Sequence, residues 1–77
     1  MQPVQLNSTS LQAVAYQNRL GLLELKFRSG AVYHYFDVSE SIYKALLRAE
    51  SKGGYFNHHI RNRFAHAKIR AAGPSHS

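Results

Sequence analysis

The sequence predicts an α+β fold: a three-stranded antiparallel β-meander followed by two C-terminal helices packed on one face. Three observations carry that expectation. Residues 22–28, LLELKFR, alternate apolar and charged side chains with the period of a strand. Residues 31–36, AVYHYF, are aromatic and β-branched and follow Ser29-Gly30, so the two runs read as a hairpin. From Ser39 onward the apolar period lengthens to that of a helix.

Residues 1–9 contain Pro3 and show no period, which predicts a flexible lead-in before a single domain over 10–66. LQAVAYQ, residues 11–17, is the first strand, and QNRLG, residues 17–21, is turn chemistry. The hairpin loop then decides which strand faces match. A two-residue Ser29-Gly30 loop sets Leu25 opposite His34 and Glu24 opposite Tyr35. A three-residue loop, Arg28-Ser29-Gly30, shifts the register by one: Leu25 meets Tyr33, Leu23 meets Tyr35 and Glu24 meets His34. The longer loop is preferred, because it pairs apolar with aromatic and acid with imidazole. It also gives the positive φ to glycine. Tyr33 and Tyr35 then join Leu23, Leu25 and Phe27 on the inner face, as core residues ahead of any role in base stacking.

SESIYKALLRAE, residues 39–50, sets Ile42, Ala45, Leu46 and Ala49 on one helical stripe. Ser39 is placed to cap it, and Val38 with Tyr43 to staple its entry. SKGG, residues 51–54, is expected to end that helix, with Gly53 or Gly54 as a left-handed cap. A second helix is expected over 55–64, with Phe56, Ile60 and Phe64 on its buried side. Residues 67–77 read as a flexible basic tail whose last seven residues are disordered.

Composition narrows the function. A chain of 77 residues is one domain, and at this size it buries only about 60% of its unfolded surface, so its core is small. It has no cysteine, hence no disulfide framework and no thiolate zinc site. No apolar run reaches the roughly 20 residues of a membrane span, and no basic-then-apolar signal pattern opens the chain. A cytoplasmic protein is the expectation. Ten Lys and Arg stand against four Asp and Glu, a net charge of +6. The excess is one-sided: from Lys44 to Arg70 the sole acid is Glu50. That asymmetry is the footprint of a polyanionic partner, either nucleic acid or an acidic protein surface.

The candidate contacts are Lys44, Arg48, Lys52, Asn57, His58, Arg61, Arg63, Lys68 and Arg70. Guanidinium groups grip phosphate in a fork, and a glycine pair opening a helix leaves backbone N–H groups for an anion. For Asn57 the preferred reading is structural, bracing the loop. Other chemistry is excluded more firmly. His58 and His59 are neighbours that point about 100° apart on a helix. His59 and His66, seven apart, have no carboxylate beside them, so no metal site is expected. Glu24, Asp37, Glu40 and Glu50 form no pair suited to acid–base work, and the serines stand at caps, loops and tails. No cofactor and no small-molecule substrate are expected: the chain reads as a binder, not an enzyme.

The order and spacing of several residues are also familiar. Leu23-x-Leu25-x-Phe27 is followed by Gly30, then Tyr33-x-Tyr35, Val38 and Tyr43-x-x-Leu46. Next come Ala49-x-Ser51-x-Gly53, Phe56-Asn57 and Ile60-Arg61. From about Ser8 to Phe64 this pattern resembles the KTSC domain family. These are small modules named for their occurrence at the C-terminus of some lysyl-tRNA synthetases, and also found as free-standing bacterial and phage proteins. Two positions depart from it: Ser39 stands where the family usually has proline, and Phe64 where tyrosine is more usual. Either proline or a capping serine suits a helix start. The synthetase association implies RNA as the partner. Together these readings predict a small, monomeric, non-catalytic nucleic-acid-binding module, RNA ahead of DNA, whose basic helical face meets phosphates. The alternative is a protein-binding regulator, such as a phage-type inhibitor, docking on a larger nucleic-acid-processing machine.

Overall fold

The structure, a computed structural model, describes residues 2–73. It is α+β with a five-stranded antiparallel sheet in the order β1-β2-β3-β4-β5. The strands are β1 (Val4–Gln5), β2 (Leu11–Gln17), β3 (Leu22–Phe27), β4 (Val32–Tyr35) and β5 (His66–Arg70). Between β4 and β5 the chain forms α1 (Glu40–Arg48), α2 (Lys52–Tyr55) and a π-helical turn over Phe56–Ile60.

The hairpin of β3 and β4 has the expected register: Leu23 faces Tyr35, Glu24 faces His34 and Leu25 faces Tyr33. Its three-residue loop closes with Gly30 N–H donating to the Phe27 carbonyl at 2.9 Å and Phe27 N–H to the Ala31 carbonyl at 2.8 Å. Gly30 has φ 98°, a backbone that disfavours any Cβ. On the sheet's other face Glu24 Oε2 and His34 Nε2 lie 2.9 Å apart.

The three-strand expectation is corrected to five, because both edge strands lack a sequence signal. β1 is two exposed residues, Val4 and Gln5, paired with Val14 and Ala13 inside the segment read as a lead-in. β5 falls in the segment read as a tail, and HAKIR carries too little apolar surface to announce a strand. An edge strand needs little, since its neighbour supplies the ladder and exposed charge guards its open side. The disorder expected of the last seven residues falls partly on 74–77, outside the described residues. β2 holds a further irregularity: its register shifts between Leu11 and Ala13. That bulge lets Leu11 and Val14, three residues apart, both be buried.

The core joins the sheet's inner face to the helices through Leu6, Leu11, Val14, Leu23, Leu25, Tyr35, Val38, Leu46, Phe56 and Ile60. Each fully buried leucine or isoleucine in it contributes about 1.5–3 kcal/mol. Ser39 caps α1 as expected, its hydroxyl accepting from Ile42 N–H. The end of α1 is different. The helix stops at Ala49 in extended conformation, and neither Gly53 nor Gly54 is left-handed. Lys52 Nζ donates to the Ala49 carbonyl at 2.8 Å, satisfying the end of α1. Ser51 then caps a new helix that contains both glycines, accepting from Gly54 N–H at 3.1 Å. At Gly53 the requirement is space: a Cβ there stands 3.2 Å from Ser10 Oγ. The second helical segment therefore runs over 52–60 and not 55–64, with Phe56 and Ile60 buried and Phe64 packed at the core's edge.

Candidate nucleic-acid interface

Alternation along β4 turns Tyr33 and Tyr35 to the same face as Leu23 and Leu25. Phe56, from the π turn, meets Tyr35 and Phe27 edge-on, with ring centroids 5.8 and 5.4 Å apart. Tyr35 is sealed by these contacts, at 4% exposure. Tyr33 is not: it remains half-buried, lying on Tyr35 at 6.2 Å with 25° between ring planes. Core packing thus claims one tyrosine fully and leaves the face of the other partly open.

The opening is a groove of about 590 Å³. Phe27, Tyr33, Tyr35 and Phe56 line it, together with Asn57, Arg61 and Asn62 from the π turn and its exit. β5 completes the lining, because its pairing with β4 sets Lys68 opposite Tyr33 and His66 opposite Tyr35. Lys68 Nζ lies 5.9 Å from the Tyr33 ring centroid, within cation–π range. The His66 ring is 5.9 Å from Tyr33 and 5.4 Å from Tyr35. Among the described residues no Asp or Glu lines this groove, so its field is positive.

Burial pushes the Tyr35 hydroxyl above its ordinary pKa, neighbouring Tyr33 adds to the rise, and the Arg61 guanidinium partly offsets it. The phenol is held neutral by its burial, with Arg61 opposing the rise. It stays a hydrogen-bond donor as well as an acceptor.

The nine residues expected to contact a polyanion do not form one helical face. Asn57, Arg61 and Lys68 meet in the groove. Lys52 is occupied with the Ala49 carbonyl and lines a smaller polar groove next to Ser51 and Asn57. Lys44 pairs with Glu40 at 3.6 Å along α1. Arg48, His58, Arg63 and Arg70 are exposed outside the main groove. Lys68 and Arg70 belong to the sheet, not to the helical layer. Asn57 is exposed and does not brace the loop through its side chain. Gly54 N–H, expected to face an anion, is taken by Ser51. His66, Asn62 and Tyr33 are the site residues that sequence reasoning set aside. The Tyr33-x-Tyr35 spacing was the signal for the last, and an unseen β5 hid the first. Among the described residues no three His, Asp or Glu side chains gather as metal ligands would.

Residues 7–64 match the model of the KTSC domain, three quarters of the chain. The chain belongs to the KTSC domain family. Among its relatives is an uncharacterised protein of Stutzerimonas stutzeri, 42% identical over 57 residues, which are 74% of this chain and 80% of that one. A lysine–tRNA ligase of Nostoc punctiforme is 37% identical over 54 residues, 70% of this chain but 10% of the ligase. The KTSC fold itself is matched by the crystal structure of a KTSC domain protein from Yersinia pestis. That likeness has a TM-score of 0.86 at 29% identity and covers 88% of this chain and 96% of the other. Phe27, Tyr33, Tyr35, Phe56, Asn57 and Arg61 lie inside the segment matched to the KTSC model, whereas His66 and Lys68 lie beyond it.

Proposed function

We propose that this KTSC domain is a small, non-catalytic, cytoplasmic module that binds single-stranded RNA, with a base against Tyr33 and the flanking phosphates against Arg61 and Lys68. The observation that carries this reading is the half-open Tyr33 ring, backed by Tyr35 and flanked by cations in a groove without carboxylates. Aromatic faces stack unpaired bases whatever their identity, and a positive groove tracks the backbone beside them. A duplex hides its base faces, so the stacking surface favours a single strand. The kinship with a tRNA ligase supports RNA over DNA.

The test is a fluorescence-anisotropy titration of a labelled single-stranded RNA at increasing salt. The logarithm of affinity is expected to fall linearly with the logarithm of salt, with a slope of about −1.5 to −2 for two or three phosphates. Tyr33→Ala is expected to cost about 1–3 kcal/mol of binding while leaving that slope unchanged. A protein that binds no oligonucleotide at low salt, yet enriches one large protein in a pull-down, is instead a protein-docking regulator.

A further inference from the structure

The RNA-binding reading concerns the stacked base's face and its phosphates. The same groove also presents two groups suited to a base's edge, and the backbone explains why they meet there. Arg61 N–H donates to the Phe56 carbonyl at 2.8 Å, the i to i+5 bond of a π turn. In an α-helix, a residue five positions on is rotated by about 140°. In a π turn the wider spiral brings it back toward the side of the first. Phe56 and Arg61 are therefore brought toward one side; Asn57 lies within the π turn, Asn62 in the reversal that follows the extended Arg61, and all four line the groove.

Both asparagines are exposed. Among the described residues neither side-chain amide is engaged by another protein group. Asn62 also has φ 65°, a left-handed backbone that glycine satisfies without a side chain and asparagine tolerates better than most residues. The turn that follows the π segment thus holds a residue that keeps an amide at the groove.

We propose that Asn57 and Asn62 make the groove selective for an unpaired adenine, an inference that rests on the RNA-binding reading and sharpens it. A side-chain amide offers one donor and one acceptor side by side. Adenine presents the complementary pair on both of its hydrogen-bonding edges, through the N6 amine with N1 and through the same amine with N7. Guanine offers two acceptors on its N7 edge. A pyrimidine has a single such edge and a smaller ring to lay on Tyr33. Two amides beside one stacking surface therefore suit adenine best. Arg61 and Lys68 are left to the phosphates and supply affinity without discrimination.

The experiment uses the full chain and short uridine-rich RNA oligonucleotides differing only at one central base: A, G, C or U. The A-containing strand is expected to bind roughly ten-fold tighter than the others. Replacing that adenine with 7-deazaadenine or unsubstituted purine is expected to remove most of the gain. Asn57→Ala and Asn62→Gly, the latter keeping the left-handed backbone, are expected to abolish the preference while the salt slope stays as in the parent protein. Arg61→Ala and Lys68→Ala are expected to do the reverse. Equal binding of all four strands, or a preference that survives both asparagine changes in folded protein, overturns the adenine assignment and leaves RNA binding standing. Failure of every strand to bind at low salt overturns both.

Discussion

At the scale of single residues, Tyr33 and Tyr35 show how one motif divides between core packing and the wall of an open groove. Both project to the inner face, but only Tyr35 lies under Phe56 closely enough to be sealed. Its burial makes the ring part of the core, while its neighbour keeps an open face that the core does not need. Gly30 is the clearest single-residue constraint on the hairpin that holds them. Its φ of 98° admits no side chain without strain, and a Cβ there stands 3.3 Å from the Gly73 amide nitrogen. Gly30→Ala is expected to destabilise the fold by about 1–2 kcal/mol, seen as a lower urea midpoint with an unchanged denaturant slope.

At the scale of elements, serine hydroxyls set where the helices start, and backbone demand sets where they stop. Ser39 accepts from Ile42 N–H and Ser51 from Gly54 N–H, while Lys52 closes α1 by donating to the carbonyl of its C-cap, Ala49. Ser39→Ala is expected to lower unfolding free energy by about 1 kcal/mol, measured by urea denaturation, because an N–H of the first turn loses its partner. The π turn that follows is the element on which the site depends most. It brings Arg61 toward the side of Phe56, and the left-handed turn at Asn62 follows it, an arrangement no α-helical period predicts, so Arg61 and the asparagines could not be placed together from spacing alone. β5 matters equally: its pairing with β4 delivers His66 and Lys68 to a groove otherwise walled on one side.

At the scale of the whole molecule, the same sheet that forms the core also couples the fold to alkaline pH. Burial is the leading cause that raises the pKa of both Tyr16 and Tyr35 above the ordinary tyrosine value of 10.0, with Glu40 adding to the rise at Tyr16 and Tyr33 at Tyr35. The folded state therefore holds protons that the unfolded chain gives up first. Linkage makes stability insensitive to these groups below about pH 10 and lost progressively above it, as pH rises toward the folded pKa values. Urea midpoints are expected to hold up to about pH 10 and to fall above it, and Tyr35→Phe is expected to make that fall shallower. A midpoint that falls as steeply in Tyr35→Phe assigns the alkaline loss elsewhere.

Local chemistry was legible in the chain without coordinates. Period-two alternation, the Ser29-Gly30 turn and cross-strand matching sufficed to set the β3–β4 register, and Ser39 announced α1, because these depend on neighbours in sequence. The edge strands and the groove were not legible. A two-residue β1 and a charged β5 exist because a preformed sheet offers them hydrogen bonds, a reward that is absent until the chain has folded. Charge composition showed an excess of cations but not their direction. Near neighbours in sequence take up Lys52, at the Ala49 carbonyl, and Lys44, at Glu40, whereas tertiary structure gathered Arg61 and Lys68 in the groove that Tyr33 lines. What lies within reach of Lys68 is supplied by residues distant in sequence, which only the folded sheet brings near.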